Sequence, residues 1–227
     1  MKWQDYAPLH TTRRRENIEW SINYQYNALD TVHPRVLLIG DSICNGYQDA
    51  VRARLDGLVN VSFWASSQCV TDPDYFRDLD RVLRIMPCSM VCFNNGLHSL
   101  VSDREEWTQA YSAAVAFIAD SLPDAKLSLT LCTPLTDPDK TAISSELNDF
   151  ARDVADDREL DVIDLFTPMD ALERERYWRD VYHFTPEAIS MQADIIAAHV
   201  LDALGLSDAR PGFGRASTVT GPEGGIK

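Results

Sequence analysis

Short, unbroken apolar runs alternate along the chain with stretches in which apolar residues recur every three or four positions. The runs, residues 36–39, 59–64, 90–93, 127–131 and 162–166, are rich in Val, Ile, Leu and aromatic residues. They lack strict alternation, as strands covered on both faces should. Between them, Trp107, Tyr111, Ala114, Ile118 and Leu122 share one helical face; Ile143, Leu147, Phe150 and Val154 share a second; Ile189, Ala193, Ile196 and Val200 share a third. Ser102 to Glu105 reads as a capping box before the first stripe, and Thr185 with Pro186 opens the last as N-cap and first helical residue. Five strand and helix repetitions predict an α/β fold, crossover units around a five-stranded parallel sheet.

The two ends break this rhythm. In residues 1–34, Ile18, Trp20, Ile22 and Tyr24 fit a strand while Ile18, Ile22 and Leu29 fit a helix, so the period leaves the choice open. This extension is expected to pack on the side of the domain at 35–206 or to form a homo-oligomer contact. Residues 207–227 are rich in Gly, Pro and Ser, and too poor in large apolar groups to offset the entropy of ordering, so a flexible tail is expected.

Charge narrows the partners. Lys and Arg number 21 against 35 Asp and Glu, a net charge of −14, and such a surface repels phosphate backbones and anionic lipid. Neither nucleic acid nor membrane is expected as a partner. The one basic run, Arg13 to Arg15, reads as a solvated face beside Glu16. No apolar run reaches membrane-spanning length and the first residues lack the build of a signal peptide, which predicts a cytoplasmic protein. The five cysteines, Cys44, Cys69, Cys88, Cys92 and Cys132, are odd in number and mostly lie in apolar runs, so they read as reduced core thiols. No metal site is expected from their spacing, and no cofactor: the first strand is followed by neither of the glycine-rich phosphate-binding patterns.

Ligands of such sheets bind at the carboxyl ends of the strands. Those ends carry Gly40-Asp41-Ser42, then Ser66 to Cys69, then Asn94 to Ser99, then Thr133 to Asp137 and, after a longer stretch, Asp180 to His183. A serine nucleophile needs an imidazole base that a carboxylate orients. Of the five histidines, His10 and His33 lie in the extension and His199 sits inside a helical stripe, which leaves His98 and His183 on the rim. Asp180 stands three residues before His183. Cys44 lies near the start of a helix, where a thiol can be activated, but its side chain is expected to point away from that of Ser42. Tyr47, Trp64, Trp107 and Trp178 are candidate stacking faces for a sugar.

The blocks "VLLIGDSICNGY" and "DVYHFTPEA", with the five units between them, resemble the SGNH, or GDSL-like, hydrolases over residues 35–204. The resemblance implies a three-layer α/β/α sandwich with a flavodoxin-like strand order 2-1-3-4-5, Ser42 as nucleophile, His183 as general base and Asp180 as its orienting carboxylate. It implies oxyanion donors at the second and third blocks, where this chain departs from the pattern. Cys69 stands at the glycine that donates its N–H, with Ser67 and Gln68 as neighbouring alternatives. Gly96-Leu97-His98-Ser99 has histidine where the family has asparagine, so His98 and Asn94 become the side-chain candidates, with Asn95 beside them. The function implied is hydrolysis of a small ester, such as a short acyl group on a carbohydrate. An acyltransferase, or a catalytically silent domain that binds carbohydrate or protein, are the alternatives.

Overall fold

The computed structural model describes residues 2–209, so most of the expected tail lies outside the described residues. In chain order the elements are β1 (Ser21–Gln25), β2 (Arg35–Gly40), α1 (Ser42–Leu55), β3 (Asn60–Ser66), α2 (Pro73–Leu83), β4 (Met90–Phe93), α3 (Arg104–Ser121), β5 (Lys126–Thr130), α4 (Pro138–Asp157), β6 (Asp161–Ile163), α5 (Phe166–Asp170), α6 (Arg174–Tyr177) and α7 (Pro186–Ala203).

One sheet runs β1-β3-β2-β4-β5-β6. Its five parallel strands, β2 to β6, follow the expected order. The sixth strand, β1, was not expected: it pairs antiparallel with the edge of β3, with Ile22 opposite Ala65 and Tyr24 opposite Phe63. The sheet is therefore mixed. The alternation Ile22, Tyr24 settles as strand because the β3 edge offers hydrogen bonds and the Phe63 ring, 5.5 Å from that of Tyr24.

Right-handed crossovers place the helices on two faces. On one face α1 packs along α7. On the other α2 meets α3, whose Trp107 and Tyr111 pack on Phe150 of α4. Strand β2, whose residues are all buried, lies between the layers.

Two local boundaries differ from the pattern reading. The last strand stops at Ile163 because Asp164 Oδ1 accepts from the N–H groups of Phe166 and Thr167, both at 2.9 Å, and so starts a helical turn. Helix α3 is capped one residue later than the capping box suggests, by Asp103 accepting from Glu106 N–H at 3.0 Å. Thr185 and Pro186 open α7 as expected.

The basic run is not a solvated face. The Arg14 and Arg15 side chains are exposed, but Arg13 is buried: its guanidinium donates to Asp72 at 2.6 Å and to the Ser67 carbonyl at 2.7 Å. Composition alone cannot show this, because the carboxylate that draws Arg13 inward lies 59 residues away. Removing one partner of a buried pair strands the other charge. Arg13→Ala should therefore cost about 3 kcal/mol in urea unfolding, whereas Arg14→Ala should stay within about 0.5 kcal/mol of wild type.

Candidate active site

Chain order reverses between β2 and β4, and the rim at that point carries Ser42. Gly40 ends β2 within reach of the first turn of α1; a β-carbon there would sit 2.7 Å from Cys44 Cβ. Asp41 caps the helix, its Oδ1 accepting from Ile43 N–H at 2.8 Å. Ser42 thus becomes the first helical residue. Its N–H is one of the orphan donors of a helix start, without a protein acceptor among the described residues.

The far end of the chain meets it. Trp178 and Phe184 form an antiparallel bridge and pack their rings at a tilt of 45°, with centroids 4.4 Å apart, pinning a loop over residues 179–183. Inside that loop Asp180 Oδ1 accepts from the N–H groups of Tyr182, at 2.9 Å, and His183, at 2.8 Å. Both carboxylate oxygens lie 2.9 Å from His183 Nδ1, and His183 Nε2 lies 2.9 Å from Ser42 Oγ. Because a carboxylate only accepts, the ring proton sits on Nδ1 and the bare Nε2 accepts from the serine hydroxyl. Partial burial pushes the Asp180 carboxyl up, but the two backbone N–H groups and the imidazole outweigh it and hold it at about 2. It remains an anion throughout the neutral range.

Two open cavities flank Ser42 and His183. One, of about 330 Å³, is walled by Glu16, Trp20, Leu97, His98 and Tyr182. The other, of about 220 Å³, is walled by residues of α1 and α7 with Arg179 and Phe184.

No family model matches the chain, and no curated protein does. Solved structures do match. A lipase/acylhydrolase from Enterococcus faecalis superposes with a TM-score of 0.63 at 18% identity, over 75% of this chain and 96% of that one. A member of the lipolytic G-D-S-L family from Veillonella parvula gives 0.59 at 16%, over 74% and 98%. A family two carbohydrate esterase from Clostridium thermocellum, in complex with cellohexaose, gives 0.59 at 13%, over 78% and 66%. The chain has the SGNH-hydrolase fold.

On this SGNH framework the second block is rebuilt. Cys69 does not offer its N–H to the rim, since that group donates to Asp72 Oδ2 at 2.9 Å. The neighbouring alternatives are also spent: Ser67 N–H goes to the Trp20 carbonyl and Gln68 N–H to Ser66 Oγ. The extension holds the Ser67 donor, Asp72 the Cys69 donor and the end of β3 the Gln68 donor.

The third block keeps its asparagines for structure. Asn94 Nδ2 donates to the Thr130 carbonyl at 2.7 Å, and Asn95 bridges Val70 N–H and the Gln68 carbonyl. Gly96 is required because a β-carbon there would overlap Cys132 Sγ. His98 differs: its Nδ1 lies 2.5 Å from Glu16 Oε1, and its buried Nε2 has no protein partner. Glu16, Trp20 and Tyr182 were missed as cavity residues; the strand-like alternation through Trp20 was the only signal.

The four expected stacking aromatics are not available. Tyr47, Trp64, Trp107 and Trp178 are all buried, at 6% exposure or less, because each lies on the inner side of a core element or, for Trp178, under the Phe184 bridge. Trp20 and Tyr182 instead line the larger cavity beside Ser42. Cys44 is no rival to Ser42, for burial pushes its thiol up to about 12. His199 is held by Ser128 at 2.9 Å on α7. Ellman's reagent at mildly alkaline pH should therefore leave the buried thiols Cys44, Cys69, Cys92 and Cys132 unlabelled in the folded protein and label all five cysteines after denaturation. Native labelling of Cys44 would contradict the closed packing beneath Ser42.

Proposed function

We propose that the chain is a serine esterase acting on a short acyl group carried by a carbohydrate or similar small polar alcohol. The observation that carries this is the unbroken relay of Asp180, His183 and Ser42, each contact at 2.9 Å. His183 Nε2 removes the hydroxyl proton as Ser42 Oγ attacks the ester carbonyl. The tetrahedral oxyanion collapses, the C–O bond to the alcohol breaks, and the alcohol leaves with the proton held on His183. Water then attacks the acyl-serine, giving a proton to His183, and the acid is released as Ser42 recovers its hydrogen.

Ser42 N–H, at the positive end of α1, faces the developing charge as a donor, and the His98 ring lines the larger cavity beside it. Asn94 and Cys69 drop out, their donors being held elsewhere. Two cavities meeting at Ser42 give separate room to the acyl and alkoxy halves of an ester. Support for a sugar comes from Trp20 and Tyr182 on the larger cavity, and from the similarity to an esterase solved with cellohexaose. The same acyl-serine serves an acyltransferase if a hydroxyl replaces water.

A silent binding domain is the second reading, favoured by the occupied backbone donors of the second block. Turnover of short-chain p-nitrophenyl esters and of acetylated sugars decides between them. Ser42→Ala should lower kcat at least about a thousandfold and Asp180→Asn roughly a hundred- to ten-thousandfold, with little change in KM. Equal rates for wild type and Ser42→Ala would reject the esterase.

A further inference from the structure

The two cavities that meet at Ser42 differ in charge. The larger has a half-exposed carboxylate on its wall, Glu16. In the smaller, Arg179 and Asn45 stand beside Ser42 and His183, with Ile189 and Phe184 as apolar wall, and none of the lining residues is acidic. The nearby arginines are committed to the protein. Arg174 donates to the Leu135 carbonyl and to Asp170 and lies over the Trp178 ring, and Arg176 holds Glu187 at 3.1 Å. Arg179 is different. Its backbone is fixed, the N–H donating to the His183 carbonyl at 2.8 Å, but among the described residues its guanidinium makes no hydrogen bond. Its one ion pair there is with Asp180, at 3.8 Å, and both side chains are exposed. Such a pair is weak and screened, and Asp180 is already engaged by His183 and two backbone N–H groups. The other charges about Arg179 are Arg174 and Glu175, which border an open groove with it.

We propose that Arg179 selects the substrate by binding the free carboxylate of an acyl group from a short dicarboxylic acid, such as a succinyl ester of a sugar, seated in the smaller cavity. This rests on the esterase reading. The guanidinium is always charged, and its planar fork matches a carboxylate with two parallel hydrogen bonds. A cavity of about 220 Å³ with one cationic and one apolar wall suits an acyl chain of a few methylenes that ends in an acid. The sugar half takes the larger cavity, where Trp20 and Tyr182 lie. Glu16 on that wall repels the acid-bearing half and so sets the direction in which the ester enters. In a chain of net charge −14 the overall field works against an anion, which leaves the local cation to hold it. Ser42 Oγ then bonds to the acyl carbon, the sugar hydroxyl leaves with the proton from His183, and water releases the diacid from the serine.

Succinylglucose and butyrylglucose, which differ only in a carboxylate against a methyl at the acyl end, test this. Wild type should hydrolyse the first with a kcat/KM at least about tenfold higher, the released acid being followed by NMR. Arg179→Gln should lower that ratio about tenfold, Arg179→Lys should keep part of it, and added salt should reduce it in the wild type. No preference in the wild type, or a ratio that Arg179→Gln leaves unchanged, would overturn the proposal. So would a preference for acetylated glucuronate over acetylated glucose that Arg179→Gln abolishes, because it would put the anion on the alcohol half. A titration independent of turnover uses Ser42→Ala: monomethyl succinate should bind it at least about fivefold more tightly than it binds Ser42→Ala/Arg179→Gln, and equal affinities would overturn the proposal. If butyrylglucose is hydrolysed and succinylglucose is no better, the esterase reading stands and this one falls. If neither ester is turned over, the esterase reading falls, and the titration still decides whether Arg179 holds a carboxylate.

Discussion

Where β2 ends, strand and helix come so close that only a hydrogen fits between Gly40 and Cys44. This contact makes the turn sharp enough for Asp41 to cap α1 at once, and the cap leaves Ser42 standing on the first helical turn with its hydroxyl over the rim. The remaining site features are arranged around that fixed point. The α1 and α7 layer supports it from below, the Trp178 and Phe184 bridge carries the imidazole to it, and the β4 end supplies the floor through Asn94 and Gly96.

The central parallel sheet was legible because its strands are largely buried on both faces, which favours short apolar runs rich in Val, Ile, Leu and aromatic residues. Ser42, Asp180 and His183 were legible as candidates because a serine nucleophile would need such partners and few histidines lie on the rim, and the three side chains do meet. What stayed hidden depends on partners distant in sequence. Strand β1 is a half-exposed edge, so its composition satisfies two periods, and only the β3 edge decides between them. Arg13 sits in a run that looks solvated, yet Asp72 draws it inward.

The expected oxyanion donors depend on distant partners too. Matching blocks of sequence identifies which residue stands at a position but not where its N–H points. Cys69 occupies the position of the donor glycine, but Asp72 has claimed its N–H, and the Asp72 side chain is itself held by an arginine from the extension. His98 replaces an amide with a ring, and the change becomes intelligible only beside Glu16, 82 residues earlier.

The outer strand also has a consequence for how such a site can be altered. Ser42 stands on the first turn of α1 and His183 in the loop before α7, whereas one wall of the cavity, with Glu16 and Trp20, is borne by the segment leading into a peripheral strand. That wall is thus shaped by side chains that lie outside the parallel core, while the contacts of Ser42, His183 and Asp180 are made within the helix start and the closing loop.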